Sequence, residues 1–311
     1  MIDALTIGIR FALYVNLMLL FGLPLFGLYG LKGAERLHSK VLPLRALVIG
    51  LSATGIALSV LSIFAMTASM AGVALLEVDR ASVGMMISET PMGRAWVVRM
   101  AALFATLILA IAMGRGKAAS WLVLVSLGSA GALASLAWTG HGAASKGVAG
   151  TRQLIADIVH LLASGAWIGA LVALGALLFR PAHAMSNDHI RLTHRALEGF
   201  SGIGTAIVAL IVVSGLLNSW VLVGPEHILS MRSTLYGQLL IAKLALFGVM
   251  LVLAVANRFR LTPAFDRAIT GGGTLPAISR LRLSLICETS AALIILGLVA
   301  WLGTLEPPMS M

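Results

Sequence analysis

Long apolar runs separated by short polar stretches dominate this chain. Eight of them, at approximately 5–31, 44–72, 95–114, 119–141, 152–179, 197–223, 234–256 and 283–305, can be drawn along it. Each holds about 20 or more residues, enough as a helix to cross a ~30 Å hydrocarbon layer. The runs are continuous and do not alternate with period two, so membrane-spanning strands are not expected. The pattern predicts an all-α polytopic membrane protein, a single domain over residues 1–311 built as a bundle of eight transmembrane helices. The first run has no basic stretch ahead of it and no small-residue cleavage site behind it. It therefore reads as a retained helix and not as a signal peptide.

Composition supports that reading. Of the 311 residues 59% are hydrophobic and only 11% charged, and mean hydropathy is +1.00, more apolar surface than a soluble fold of this size can hide. A net charge of +10 would suggest nucleic acid in a soluble protein. Here its placement matters more. The connections after the first, third, fifth and seventh runs hold 14 of the 22 Lys and Arg residues, and the opposite connections hold 5. Cytoplasmic loops collect such residues, so both termini are expected on the periplasmic side, with lipid and not nucleic acid as the surroundings. The single Cys287 allows no intramolecular disulfide and no CxxC metal motif, and it reads as a small buried apolar residue.

Candidate chemistry centres on Asp157-Ile158-Val159-His160 in the fifth run. A carboxylate and an imidazole three residues apart face the same side of a helix. Ionisable groups inside a membrane segment are costly and usually point into a bundle or cavity. Asp157 is expected to orient the His160 ring, as carboxylates do for metal-bound histidines. His141 ends the fourth run, and a short connection makes the fourth and fifth helices antiparallel neighbours. His141, Asp157 and His160 are thus the candidate metal ligands. Lys243 lies too deep in the seventh run to snorkel and should pair with Asp157 or Glu288. Asn218 and Arg99 are intramembrane polar groups without an assignable partner, and His38, His183, His189 and His194 read as solvated loop residues.

The outer connections carry soft donors. Met66 and Met70 lie one turn apart near the outer end of the second run. Met85, Met86 and Met92 follow in the segment Glu77 to Arg94, and His227 and Met231 come later. Thioethers suit Cu(I) and imidazole suits copper in either oxidation state, although methionine also serves as a gap-filler in packed helices. Gly165 and Gly169 form a small-xxx-small face that predicts close packing of the fifth helix. The stretch Thr262 to Ser279, with Gly271-Gly272-Gly273, reads as a flexible inner loop lacking the strand–glycine–helix context of a phosphate cradle.

These residues resemble a known family. Asp157-x-x-His160-Leu161-Leu162-Ala163-x-x-x-Trp167-Ile168-Gly169 is similar to the central motif of the copper resistance protein D (CopD/PcoD) family. Leu235-Tyr236-Gly237-x-x-Leu240-x-x-Lys243, Ala256-Asn257-Arg258, Glu288 and Glu306-Pro307-Pro308 resemble it too. The resemblance implies a copper resistance or homeostasis protein in the inner membrane of a Gram-negative bacterium. It would move copper ions, Cu(I) or Cu(II), across that membrane after delivery by a separate periplasmic CopC-type protein. The expected path runs from His141 to Asp157 and His160, then inward along a polar crevice with Lys243 and Glu288. Trp167, Asn218 and Tyr236 are further polar groups inside the spans. No Walker A or Asp-Lys-Thr-Gly segment is visible, so neither ATP-driven pumping nor an enzyme activity is expected. Two other classes remain open: a membrane redox protein with haem or copper-reducing activity, and a non-transporting copper-binding docking subunit.

Overall fold

The computed structural model describes residues 2–38, 41–112, 118–139, 147–180, 186–223, 233–271 and 274–305. Among them eight helices are long and apolar enough to cross a membrane, as the hydropathy pattern predicts. In chain order the α-helices are α1 (Ile2–Tyr29), α2 (Leu44–Ala71), α3 (Arg80–Glu89), α4 (Pro91–Ile111), α5 (Ala118–Ala134), α6 (Gly147–Leu178), α7 (Asn187–Val223), α8 (Leu235–Ala256), α9 (Thr262–Gly271) and α10 (Thr274–Leu302). Large apolar side chains such as Ile108, Leu127, Leu216 and Val252 point outward, where lipid tails would cover them. Eight spans put both chain ends on one side of the bundle, the terminal face; the other side is the basic face.

Helix α1 is the axis of the bundle, packing against α2, α5, α6 and α10. Its contact with α6 is made by glycines. A Cβ added to Gly22 would overlap Gly165 and Gly169, and one added to Gly169 would overlap the Gly22 backbone. The predicted small-residue face is thus used, and it lets two backbones touch. One continuous core runs from Leu13 on α1 to Leu296 on α10.

The basic face shows a second use for its arginines. Helices crossing toward it end there in carbonyls that have no intrahelical partner. Arg36 donates to Leu28 and Leu31, Arg45 to Ala110 and Ile111, and Arg282 to Leu178 and Arg180. Cations also complement the negative end of a helix dipole. Arg195 bonds both oxygens of Glu35 at 2.6 Å. Partial burial pushes the Glu35 carboxyl up, but the Lys32 N–H and Arg195 outweigh it and hold the group below its ordinary value.

Several expectations need correction. The stretch after α8 is not a loop: a π-helical turn (Asn257–Leu261) leads into α9, whose Phe265 is fully buried beneath a polar outer side. Helix α10 begins at Thr274 and α7 at Asn187, nine and ten residues before the apolar runs, because hydropathy does not register amphipathic ends. His189 and His194 therefore lie within α7. His189 is buried with Nε2 2.9 Å from the Leu177 carbonyl, and His194 sits 3.6 Å from Glu198 and 3.4 Å from Asp266. His38 is exposed, and His183 lies outside the described residues. Cys287 is exposed on the lipid-facing side of α10, not buried.

Candidate functional site

Two cavities open at the terminal face and share a wall. The smaller, about 170 Å³, is lined by Asp157 and His160 from α6, Asn218 from α7, and Tyr236 and Lys243 from α8. Counting from the start of each span, Lys243 lies about 12 Å and His160 about 15 Å below the helix ends. Asp157 and Lys243 lie within electrostatic reach of each other. The ion pairs within 4.0 Å among the described residues are His194–Glu198, His194–Asp266 and Arg195–Glu35. Asp157 and Lys243 therefore face each other across the cavity without closing it. The expected ion pair of Lys243 with Asp157 is not closed; the two interact only through space.

His160 is positioned by a residue the sequence did not single out. Its Nδ1 lies 3.1 Å from Ser214 Oγ on α7, and the ring packs over Gly215, where a side chain would crowd it. Ser214 directs its only hydroxyl proton to the Leu210 carbonyl at 2.5 Å. In the matching tautomer the imidazole donates from Nδ1, which leaves the Nε2 lone pair free for a ligand. Among the described contacts, the expected Asp157–His160 bond is not formed. A hydroxyl in an apolar helix leaves no periodic signal, which is why Ser214 escaped notice.

The larger cavity, about 710 Å³, is lined by Met66 and Met70 from α2, Met92, Trp96 and Arg99 from α4, and residues 136 and 139. Arg10, Tyr14, Leu136 and Gly303 belong to both cavities, so the thioethers and His160 stand on either side of one partition. Met85 points outward from α3, while Met86 is buried with its sulfur 3.7 Å from the Thr90 hydroxyl. Neither lines this cavity. His141, His227 and Met231 lie outside the described residues. Among the described residues no three His, Cys, Asp or Glu side chains gather as a metal site. A soft ion would draw on the His160 imidazole in the smaller cavity or on the thioethers in the larger one.

Glu288 and Trp167 sit elsewhere. They line a third, mostly apolar cavity of about 300 Å³ at the basic face, where Asn257 bonds Glu288 and Trp167 packs edge-on against Phe200 at 5.5 Å between centroids. Asn257, which caps α8, is 14 residues beyond Lys243, about 21 Å along the axis. Buried Met250 on α8 and Ala163 and Ala166 on α6 occupy the interval. Glu288 is therefore not a partner of Lys243, and among the described residues no continuous polar crevice joins the two. A b-type haem would need a second axial histidine level with His160. Among the described residues His189, bonded beside Leu177, is about 26 Å further along α6, and His194 is at the same end. The described residues do not offer a bis-histidine pair.

Comparison with known proteins adds the family. Residues 1–151 match the model for copper resistance protein D-like N-terminal domains, and residues 194–302 match copper resistance protein D. The chain is 47% identical over 309 residues to a copper resistance protein D of Pseudomonas syringae pv. tomato, covering 99% of this chain and 98% of that one. It is 26% identical to the inner membrane protein YebZ of Escherichia coli, over 97% of this chain and 98% of the relative. Over 56% of the chain it is 32% identical to the copper transport protein CutJ of Bacillus subtilis, covering 31% of that protein. No solved structure matches. The Asp157–His160 helix falls between the two matched ranges but within the full-length match. With eight spans, an aligned relative of nearly equal length and both family models in order, the chain belongs to the copper resistance protein D family of multi-pass inner-membrane proteins.

Proposed function

We propose that this chain, by family a protein of copper resistance and homeostasis, moves copper ions across the inner membrane after receiving them at the terminal face. The observation that carries the reading is the His160 ring, held by Ser214 with Nε2 free, in a cavity that shares a wall with the thioethers of Met66, Met70 and Met92. Imidazole and thioether donors suit Cu(I), with imidazole also suiting Cu(II). Buried ionisable groups at this depth usually mark an ion path. Both termini face the periplasm in this reading, because the arginine-rich loops belong in the cytoplasm. A periplasmic CopC-type protein would then deliver copper to the open cavities. The apolar packing between the Lys243 cavity and the Glu288 cavity implies that passage requires the helices to shift, as in alternating access.

Uptake of Cu(I) and of Cu(II) into proteoliposomes tests this, with His160→Ala beside the parent protein. Uptake that falls at least tenfold in His160→Ala, with equal protein inserted, is the expected result. Equal uptake by both would overturn the reading. Copper bound without any uptake would favour the docking-subunit alternative.

A further inference from the structure

Arg99 is an unusual group for a membrane span. It is 2% exposed, its Nε and Nη1 meet no hydrogen-bond partner among the described residues, and it lines the 710 Å³ cavity. Arg10 lies on the same wall with its Nε likewise buried and unpartnered. Counted from Pro91, Arg99 is rooted about 12 Å below the start of its helix, while the Arg10 guanidinium lies against Gly303 at the end of α10. No carboxylate lines this cavity among the described residues. Across the partition the only carboxylate among the described residues is Asp157, and it faces Lys243. Three cations and one carboxylate thus surround the joined cavities. An unpaired charge at such depth is strongly unfavourable, and guanidinium N–H groups fit compact anionic groups well.

We propose that the Arg10–Arg99 cavity is an anion-binding site, taking a compact anionic group such as a halide, a carboxylate or a phosphate. The hydroxyl of Tyr14 on its wall supplies a further donor. The site stands apart from the copper reading, because the anion is required by the cavity's own charge. It also bears on that reading. A copper cation approaching Met66, Met70 and Met92 would meet two guanidiniums, and a bound anion removes that repulsion.

The test uses the full-length protein without copper, in detergent and halide-free buffer. Chloride, iodide, acetate and inorganic phosphate are titrated in turn, read by calorimetry and by quenching of tryptophan emission, since Trp96 lines the cavity. The expected result is saturable binding of at least one anion that weakens tenfold or more in Arg99→Gln and in Arg10→Gln. It should be unchanged in Arg260→Gln, an exposed arginine of the basic face. Arg99→Lys, which keeps the charge but loses the fork, should bind with intermediate affinity and guards against simple misfolding of Arg99→Gln. Repeating the titration in nanodiscs separates the sources of the anionic group. If phosphatidylglycerol but not phosphatidylcholine suppresses halide binding, a lipid headgroup occupies the same site; if neither does, the ligand is a free anion. Absence of saturable binding in the parent, or binding that persists in both Arg10→Gln and Arg99→Gln, overturns the proposal and leaves the guanidiniums simply hydrated. Copper uptake is not read in this experiment, so its outcome is independent of the transport result.

Discussion

In the proposed copper site Ser214 matters as much as His160. A histidine ligand needs one ring nitrogen fixed so that the other is presented in a defined direction. Asp157, one turn away on the same helix, looked from the sequence like the group that does this. The structure gives the task to a hydroxyl on the neighbouring helix. Asp157 instead supplies negative charge opposite Lys243. The two roles predict different losses. Ser214→Ala should weaken copper binding by about 10- to 100-fold, the usual cost of removing such an orienting partner, while Asp157→Asn should weaken it less, since no bond to His160 is broken. Competition titration with a Cu(I) chelator measures both. A larger loss for Asp157→Asn than for Ser214→Ala would reverse the assignment. The sequence could reveal Asp157, His160 and Lys243 because charge inside an apolar run is conspicuous. Ser214, Tyr14 and the unpaired environment of Arg99 depend on which helices meet, and no spacing rule within one helix reports that.

Among the elements, the α1–α6 pair sets the site's geometry. Gly22, Gly165 and Gly169 bring the two backbones into contact, and α6 carries Asp157 and His160 three turns or less from that crossing. A side chain at the crossing must push the helices apart, and overpacking of this kind costs about 1–3 kcal/mol, occasionally more. Gly169→Leu should accordingly lower the thermal midpoint in detergent by several degrees and widen the cavity around His160. Gly131→Leu, where an added Cβ meets open space, should leave the midpoint nearly unchanged. Equal midpoints for the two variants would contradict the crossing. The close-packed glycines were legible in the 165–169 spacing, but their partner was not, because Gly22 stands without a matching small residue four positions away in α1. Element ends were misread for a related reason. The first turns of α7 and α10 and all of α9 are amphipathic, so a hydropathy scan assigns them to loops.

At the scale of the whole molecule, the polar groups are split between two levels. Asp157, His160, Lys243, Arg10 and Arg99 gather under the terminal face, while Glu288, Asn257 and Trp167 gather under the basic face. The number of spans and their alternation followed directly from the sequence, as did the family. The split did not, because residues deep in different apolar runs can be ranked by depth only once the helix ends are known. The arrangement points to copper being held first near His160, at the side bearing both termini. Extended X-ray absorption fine structure of the purified protein loaded with one equivalent of Cu(I) tests that claim most directly. A copper site containing an imidazole nitrogen, with that contribution lost in His160→Ala, is the predicted result. An identical copper spectrum in the parent and in His160→Ala would contradict the account.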